Sequence, residues 1–169
     1  MFRVGVSALI INERDELLLV NLESFEERYY AIPGGGLDEG ETLEDAVYRE
    51  VKEELSIPKK NLEFLGKSEM PLRFLFKKIV LARDGKEYLG QERYFFGFKL
   101  IAGEDEIVPR AGEVRDYTWA TIDDLHKYLL FDNQLEDTQA KIGEVFPQLA
   151  TRISSYISLQ KVKREDTRG

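Results

Sequence analysis

An α+β fold built on a mixed β-sheet is the class this sequence predicts, and three observations carry that expectation. Runs rich in β-branched and aromatic residues recur from Val4 to Trp119. One strongly amphipathic helical pattern, Thr42–Ile57, interrupts them. Helical patterns then return only after the last strand, in a short segment to about Leu130 and from Gln134 onward. At 169 residues and 43% hydrophobic composition, the chain has the size and apolar content for one buried core. Residues 1–160 are therefore expected to form a single domain, with 161–169 as a frayed C-terminal tail.

Taken in order, Val4–Ile11 and Leu17–Val20 read as two strands joined by the hairpin turn Asn12-Glu13-Arg14-Asp15. Ala31–Gly36 reads as a Pro-Gly-rich loop. Thr42 opens a helix, with Asp45 three residues on as a capping partner, and Pro58 stops it after Leu55. Asn61–Ser68, Arg73–Ala82 and Arg93–Ile101 read as strands, with a turn at Asp84-Gly85. Val114–Trp119 reads as a further strand, and Thr121 with Asp124 caps a short helix to about Leu130. Beyond Gln134, the apolar set Leu135, Ile142, Val145, Phe146, Leu149, Ile153, Tyr156 and Ile157 predicts helix, restarted at Pro147.

Composition excludes several kinds of chemistry. There is no cysteine, so disulfides, thiolate nucleophiles and cysteine-based zinc sites are ruled out. That absence suits a reducing cytoplasm, the expected location. Val4–Ile11 is too short to cross a bilayer, and no membrane association is expected. A net charge of -8 argues against broad nucleic-acid coating, which needs Lys and Arg to neutralise phosphates. A local path remains available at Lys77-Lys78 and Arg93.

The helix Thr42–Ile57 carries the strongest functional signal. Leu43, Ala46, Val47, Val51 and Leu55 form one apolar stripe. With Glu50 at zero, Leu43 falls near roughly 20°, Glu54 near roughly 40° and Val47 near roughly 60°. Glu50 and Glu54 thus lie on the stripe that should face the core, and Glu53 flanks it. Burying an unpaired carboxylate costs several kcal/mol, and a divalent cation offsets that cost. The competing reading is a Glu-rich helix on a solvated surface, with an Arg49–Glu53 pair. The loop Pro33-Gly34-Gly35-Gly36 lies just upstream, and glycines let a backbone approach a ligand closely.

Residues 35–57, GGLDEGETLEDAVYREVKEELSI, resemble the Nudix box G-x5-E-x7-R-E-U-x-E-E-x-G-U, with U a large aliphatic residue. Gly35, Glu41, Arg49, Glu50, Val51, Glu53, Glu54 and Ile57 fall on pattern positions. Ser56 stands where the pattern has glycine, and is expected to bend the helix exit differently without removing a metal ligand. The resemblance to the Nudix (MutT-like) hydrolases implies a mixed sheet between helices, α/β/α. It also implies Mg²⁺ or Mn²⁺ held by Glu50, Glu53 and Glu54 with the Gly35 backbone, and Glu41 and Arg49 supporting them.

Further similarity is to the RNA pyrophosphohydrolase and dinucleoside polyphosphate hydrolase branch. It rests on Phe2-Arg3, Gly90-Gln91 before Tyr94-Phe95-Phe96, and Glu113 six residues before Trp119. That likeness implies a catalytic contribution from Glu113 beside Glu53, a phosphate contact from Arg3 and a base-stacking ring at Phe131. A core position for Phe131 is the simpler reading of its own neighbours, Leu129 and Leu130. The implied activity is metal-dependent cleavage of a phosphoanhydride in a nucleoside diphosphate-linked small molecule, a dinucleoside polyphosphate or NTP before an RNA 5′ end or an ADP-ribose-type compound. Two departures weigh against RNA: Gly34 replaces the branch's glutamine before the box, and acidic Asp132 follows Phe131. A nucleotide-sensing domain of this family would tend to lose box glutamates, and an isoprenoid diphosphate isomerase would need a cysteine; neither holds here.

Overall fold

A computed structural model describes residues 1–168, without the side chains of 154–158, 160 and 164–168. Strand β1 (Phe2–Ile11) forms a hairpin with β2 (Leu17–Leu22), and the buried Asn12 side chain organises the turn by accepting the amides of Arg14 and Glu16. Strands β3 (Gly34–Gly36), β4 (Leu62–Lys67), β5 (Leu72–Leu81), β6 (Glu87–Leu100) and β7 (Val114–Ala120) complete a seven-stranded sheet. Its order is β4-β6-β1-β2-β7, with β3 added to β1 and β5 to β6. β1 and β6 run parallel from Phe2↔Gly90 to Ile11↔Lys99, and the other pairings are antiparallel. The sheet is therefore mixed, as expected.

Side-chain alternation explains why helices cover both faces. Val6, Ala8 and Ile10 of β1, with Phe96 and Phe98 of β6, meet Ala46, Val47, Val51 and Leu55 of helix α1 (Leu43–Leu55). Leu9 and Ile11, with Phe95, meet Ile142 and Val145 of α2 (Gln134–Val145), Phe146, and Leu149 and Ile153 of α3 (Pro147–Arg168). An α1/sheet/α2–α3 sandwich follows from two apolar faces on the same strands.

Four local expectations are corrected. Gly34–Gly36 is a short strand on β1 rather than a loop, because backbone without side chains lies flat against Gly5–Ser7. β6 begins at Glu87, six residues before the expected start, since β5 supplies an antiparallel partner to its first half. The segment after β7 is a 3₁₀ helix, Ile122–Lys127, and Thr121 gives it no side-chain cap. α3 runs as helix through Arg168, and two of the apolar positions expected on it, Tyr156 and Ile157, lie outside the described side chains.

Ser56 provides the fourth correction. It adopts the left-handed conformation itself, with φ 60° and ψ 31°, and its amide donates to the Lys52 carbonyl. The helix exit is therefore the one a glycine would make, held in part by the Ser56 hydroxyl donating to the Val108 carbonyl at 3.2 Å. A left-handed non-glycine residue costs roughly 1–2 kcal/mol. Ser56→Gly should accordingly raise stability by up to about 1 kcal/mol, and Ser56→Val should lower it, both read from denaturant midpoints.

Candidate active site

The site forms where α1 crosses β3 and the start of β1. Thr42 caps α1 by accepting the Asp45 amide at 3.1 Å, which fixes the phase of the helix from its first turn. That phase buries Glu54, only 3% exposed, and leaves the Glu50 side chain 13% exposed. Glu53 points outward at 43%. The periodicity reading therefore holds: two carboxylates face inward.

Glu54 is the costliest group in the site. Its Oε2 is buried without a hydrogen-bond partner. Loss of hydration, with Glu50 beside it, pushes its carboxyl up to about 8, although the Gly34 amide donates to it. Burial likewise raises Glu50 above the usual carboxylate range, against the pull of Arg49. Gly35 explains how Glu50 gets so close, because a Cβ there would lie 2.4 Å from Glu50 Oε1. A side chain at position 35 would displace that carboxylate.

Arg49 ties the helix to the incoming loop. It donates to both oxygens of Glu41 at 2.7 and 2.8 Å, to Glu50 at 2.9 Å, to Glu53 at 3.2 Å and to the Gly36 carbonyl at 2.9 Å. Glu41 also accepts the Asp38 amide, and the bidentate Arg49 bonds hold its carboxyl below the usual range. Among the described residues, no three acidic or histidine side chains converge into a preformed cation cluster. Arg49 bonds Glu50 and Glu53 at once, and of the three box carboxylates only Glu53 points outward.

Glu113 arrives from the loop before β7. The Val108 and Arg110 amides donate to the Leu55 and Glu54 carbonyls at 3.0 and 2.9 Å, pinning that loop to the end of α1. Arg110 then lies 3.3 Å from Glu113 and 4.0 Å from Glu53, between the two exposed carboxylates. Glu113 lines a cavity of about 230 Å³ with Gly35, Glu50, Arg3 and Arg93. In the sequence Arg93 reads only as part of a short basic path. It sits in β6 opposite Gly5, donates to the buried Ser7 hydroxyl at 3.1 Å and lies in the field of Glu54 and Glu50. No local pattern reveals Arg93 or Arg110, because each reaches the site through strand register or loop docking.

The structure thus brings Gly35, Glu41, Arg49, Glu50, Glu53, Glu54, Glu113 and Arg3 together. Phe131 is not part of this cavity. It stacks on Tyr29 at 4.5 Å and meets Phe25 edge-on at 5.1 Å, yet stays 42% exposed, so the expected core position is corrected as well: the ring belongs to a surface aromatic cluster.

Stability should register the burial of Glu54. A carboxyl at about 8 in the folded chain and about 4.5 unfolded holds a proton that the unfolded chain has lost. Its contribution is complete below about pH 4.5 and disappears as pH rises towards 8, by at most about 1.4 kcal/mol per unit. Metal-free protein should lose denaturant stability across that window, and Glu54→Gln should flatten the slope. An unchanged slope in the variant would refute the burial reading.

Comparison with known proteins shows the family and the fold. The NUDIX domain family pattern matches residues 1–146. An RNA pyrophosphohydrolase of Actinobacillus succinogenes is 33% identical over 107 residues, covering 63% of this chain and 53% of that protein. One from Shewanella piezotolerans is 29% identical over 124 residues, 71% of this chain and 70% of that protein. The chain thus spans about half the length of the first relative and more of the second. Among solved structures, a C. elegans Ap4A hydrolase in a binary complex superposes with TM-score 0.63 at 21% identity, over 83% of this chain and 98% of that one. The E. coli dihydroneopterin triphosphate pyrophosphohydrolase gives 0.62 at 18%, over 83% and 96%. These two likenesses speak to the fold, and with the family match across residues 1–146 they make this chain a member of the Nudix family.

Proposed function

We propose that this chain is a divalent-cation-dependent pyrophosphohydrolase that cleaves a phosphoanhydride bond in a nucleoside diphosphate-linked substrate, a dinucleoside polyphosphate or NTP by preference. The unpartnered, buried Glu54 Oε2 carries the reading. A site of carboxylate oxygens with one orphaned acceptor fits a hard cation such as Mg²⁺ or Mn²⁺. Glu50, Glu53, Glu54 and the Gly35 carbonyl would hold it. Such a cation supplies neutralisation of the negative charge on the phosphate oxygens.

The remaining work belongs to the chain's own groups. Arg3 and Arg93 face the cavity and grip non-bridging phosphate oxygens by charge-assisted hydrogen bonds. Glu53 and Glu113, 43% and 46% exposed, are the carboxylates placed to exchange protons with solvent. One of them takes the proton from the attacking water as its oxygen bonds to phosphorus. The anhydride P–O bond breaks on the opposite side, and the leaving phosphate carries off the electron pair. Arg110, between those two carboxylates, positions both. Arg49 acts at one remove by fixing Glu50 and Glu41.

A second reading, an RNA 5′ end as substrate, is favoured by the names of the relatives in Actinobacillus and Shewanella. A nucleotide-sensing role is disfavoured, because every box glutamate is in place.

A substrate panel with Mg²⁺ and Mn²⁺, its products identified by mass, tests the proposal. Activity should require added cation, vanish in excess EDTA and rise into mildly alkaline pH as the raised carboxyls ionise. Glu54→Gln should lower kcat by about 100-fold or more while circular dichroism stays native. Near-normal turnover in that variant, or full activity in EDTA, contradicts the mechanism.

A further inference from the structure

A second cleft opens beside the carboxylate cavity and is much larger, about 1060 Å³ against about 230 Å³. Arg3 and Val4 line both, so the two are continuous across the start of β1. Arg3 lies against Gly36 on one side and within the field of Asp84 and Tyr88 on the other. The smaller cavity falls below the roughly 300–1,000 Å³ of sites that enclose a whole organic ligand, and the cleft reaches the top of that range. The first has room for phosphates and the second for a nucleotide.

The far wall of the cleft is the β5–β6 ribbon. β1 pairs with β6 only from Gly90 onward, so the ribbon's end stands clear of the sheet. Its charge opposes that of the chain: Leu72–Leu89 contains five Lys and Arg against two acids, in a protein of net charge -8. The acids near the cleft are largely engaged. Asp84 accepts the Lys86 amide at 2.9 Å and the Tyr88 hydroxyl at 2.8 Å, and Asp38 lies 3.2 Å from Arg49. Among the described residues, neither Arg83 nor Lys86 forms a salt bridge. Leu81, exposed, and Phe2, half-buried, add apolar and aromatic surface beside these cations. Cations interleaved with apolar and aromatic surface suit phosphate plus base.

We propose that this cleft seats the portion of substrate beyond the scissile diphosphate: a phosphorylated nucleotide, with Arg3 at the crossing and Arg83 and Lys86 on its phosphates. The inference rests on the pyrophosphohydrolase reading above and assigns the cleft's ligand. A second nucleotide presents this chemistry whether it belongs to a dinucleoside polyphosphate or follows the 5′ end of an RNA.

The test is Arg83→Ala/Lys86→Ala. The ratio of kcat/KM for a dinucleoside tetraphosphate to that for ATP should fall about tenfold, mostly through KM, as two phosphate contacts are lost. A short 5′-triphosphorylated RNA forms the second arm. A fall for either long substrate supports the cleft and identifies the source, and an unchanged ratio for both overturns it. Amide NMR shifts of Ala82, Gly85 and Lys86 on adding dinucleoside tetraphosphate in EDTA give a readout free of turnover. Shifts in the wild type that the double variant abolishes support the site; shifts confined to Gly34–Gly36, or none, overturn it. Failure of the wild type to hydrolyse any of the three substrates refutes the pyrophosphohydrolase reading, and the amide shifts then decide the cleft alone.

Discussion

Holding the Glu54 carboxyl out of water is the constraint to which the rest of the site is fitted. A carboxylate at that depth, with one oxygen unpartnered, opposes folding unless it keeps a proton or gains a cation. The backbone of Gly34–Gly36 lies flat on β1 so that an amide reaches Glu54 and Glu50 closes over Gly35. Arg93, planted in β6, sets a positive charge beneath both carboxylates. Arg49 meanwhile occupies Glu41, Glu50 and Glu53 from the other side. Its ion pairs are only partly buried, so they serve geometry more than stability.

The sheet turns these local contacts into one site. β1 contributes Arg3 and the backbone that receives β3, while its apolar alternation buries both faces of the sheet. The same parallel register that sets Arg93 opposite Gly5 leaves Glu87–Leu89 beyond the end of β1, where the β5–β6 ribbon begins. Position of the cavity and existence of the cleft therefore share one cause, the length mismatch between β1 and β6. Glu113 depends on a different link, the docking of Val108 and Arg110 on the last turn of α1.

What was legible in the sequence is what helical geometry encodes. A 3.6-residue repeat puts Glu50 and Glu54 among Leu43 and Val47 before any coordinate is known. The mixed sheet was legible from alternation and turn residues, and the break at Pro147 from proline's missing amide. Groups that meet through register or docking were not. Arg93 reads as one more charge in a strand, and Arg110 as a loop cation, until β1 and α1 bring their partners. The three glycines read as a loop because strand propensity undervalues residues whose use is close backbone approach. Ser56 breaks the usual preference for glycine and still makes the same turn. Phe131 reads as core from its neighbours Leu129 and Leu130, whereas its ring contacts, Tyr29 and Phe25, lie some hundred residues away in the chain and outside the cavity.

The central claim is that a buried, protonated Glu54 exchanges its proton for a divalent cation. Calorimetric titration of the metal-free protein with Mn²⁺ at pH 7, in two buffers of different ionisation enthalpy, counts the protons released per ion bound. With the Glu54 carboxyl at about 8, close to one proton should leave with each cation, and Glu54→Gln should abolish that release. Tight cation binding without proton release, or release that survives Glu54→Gln, would contradict it.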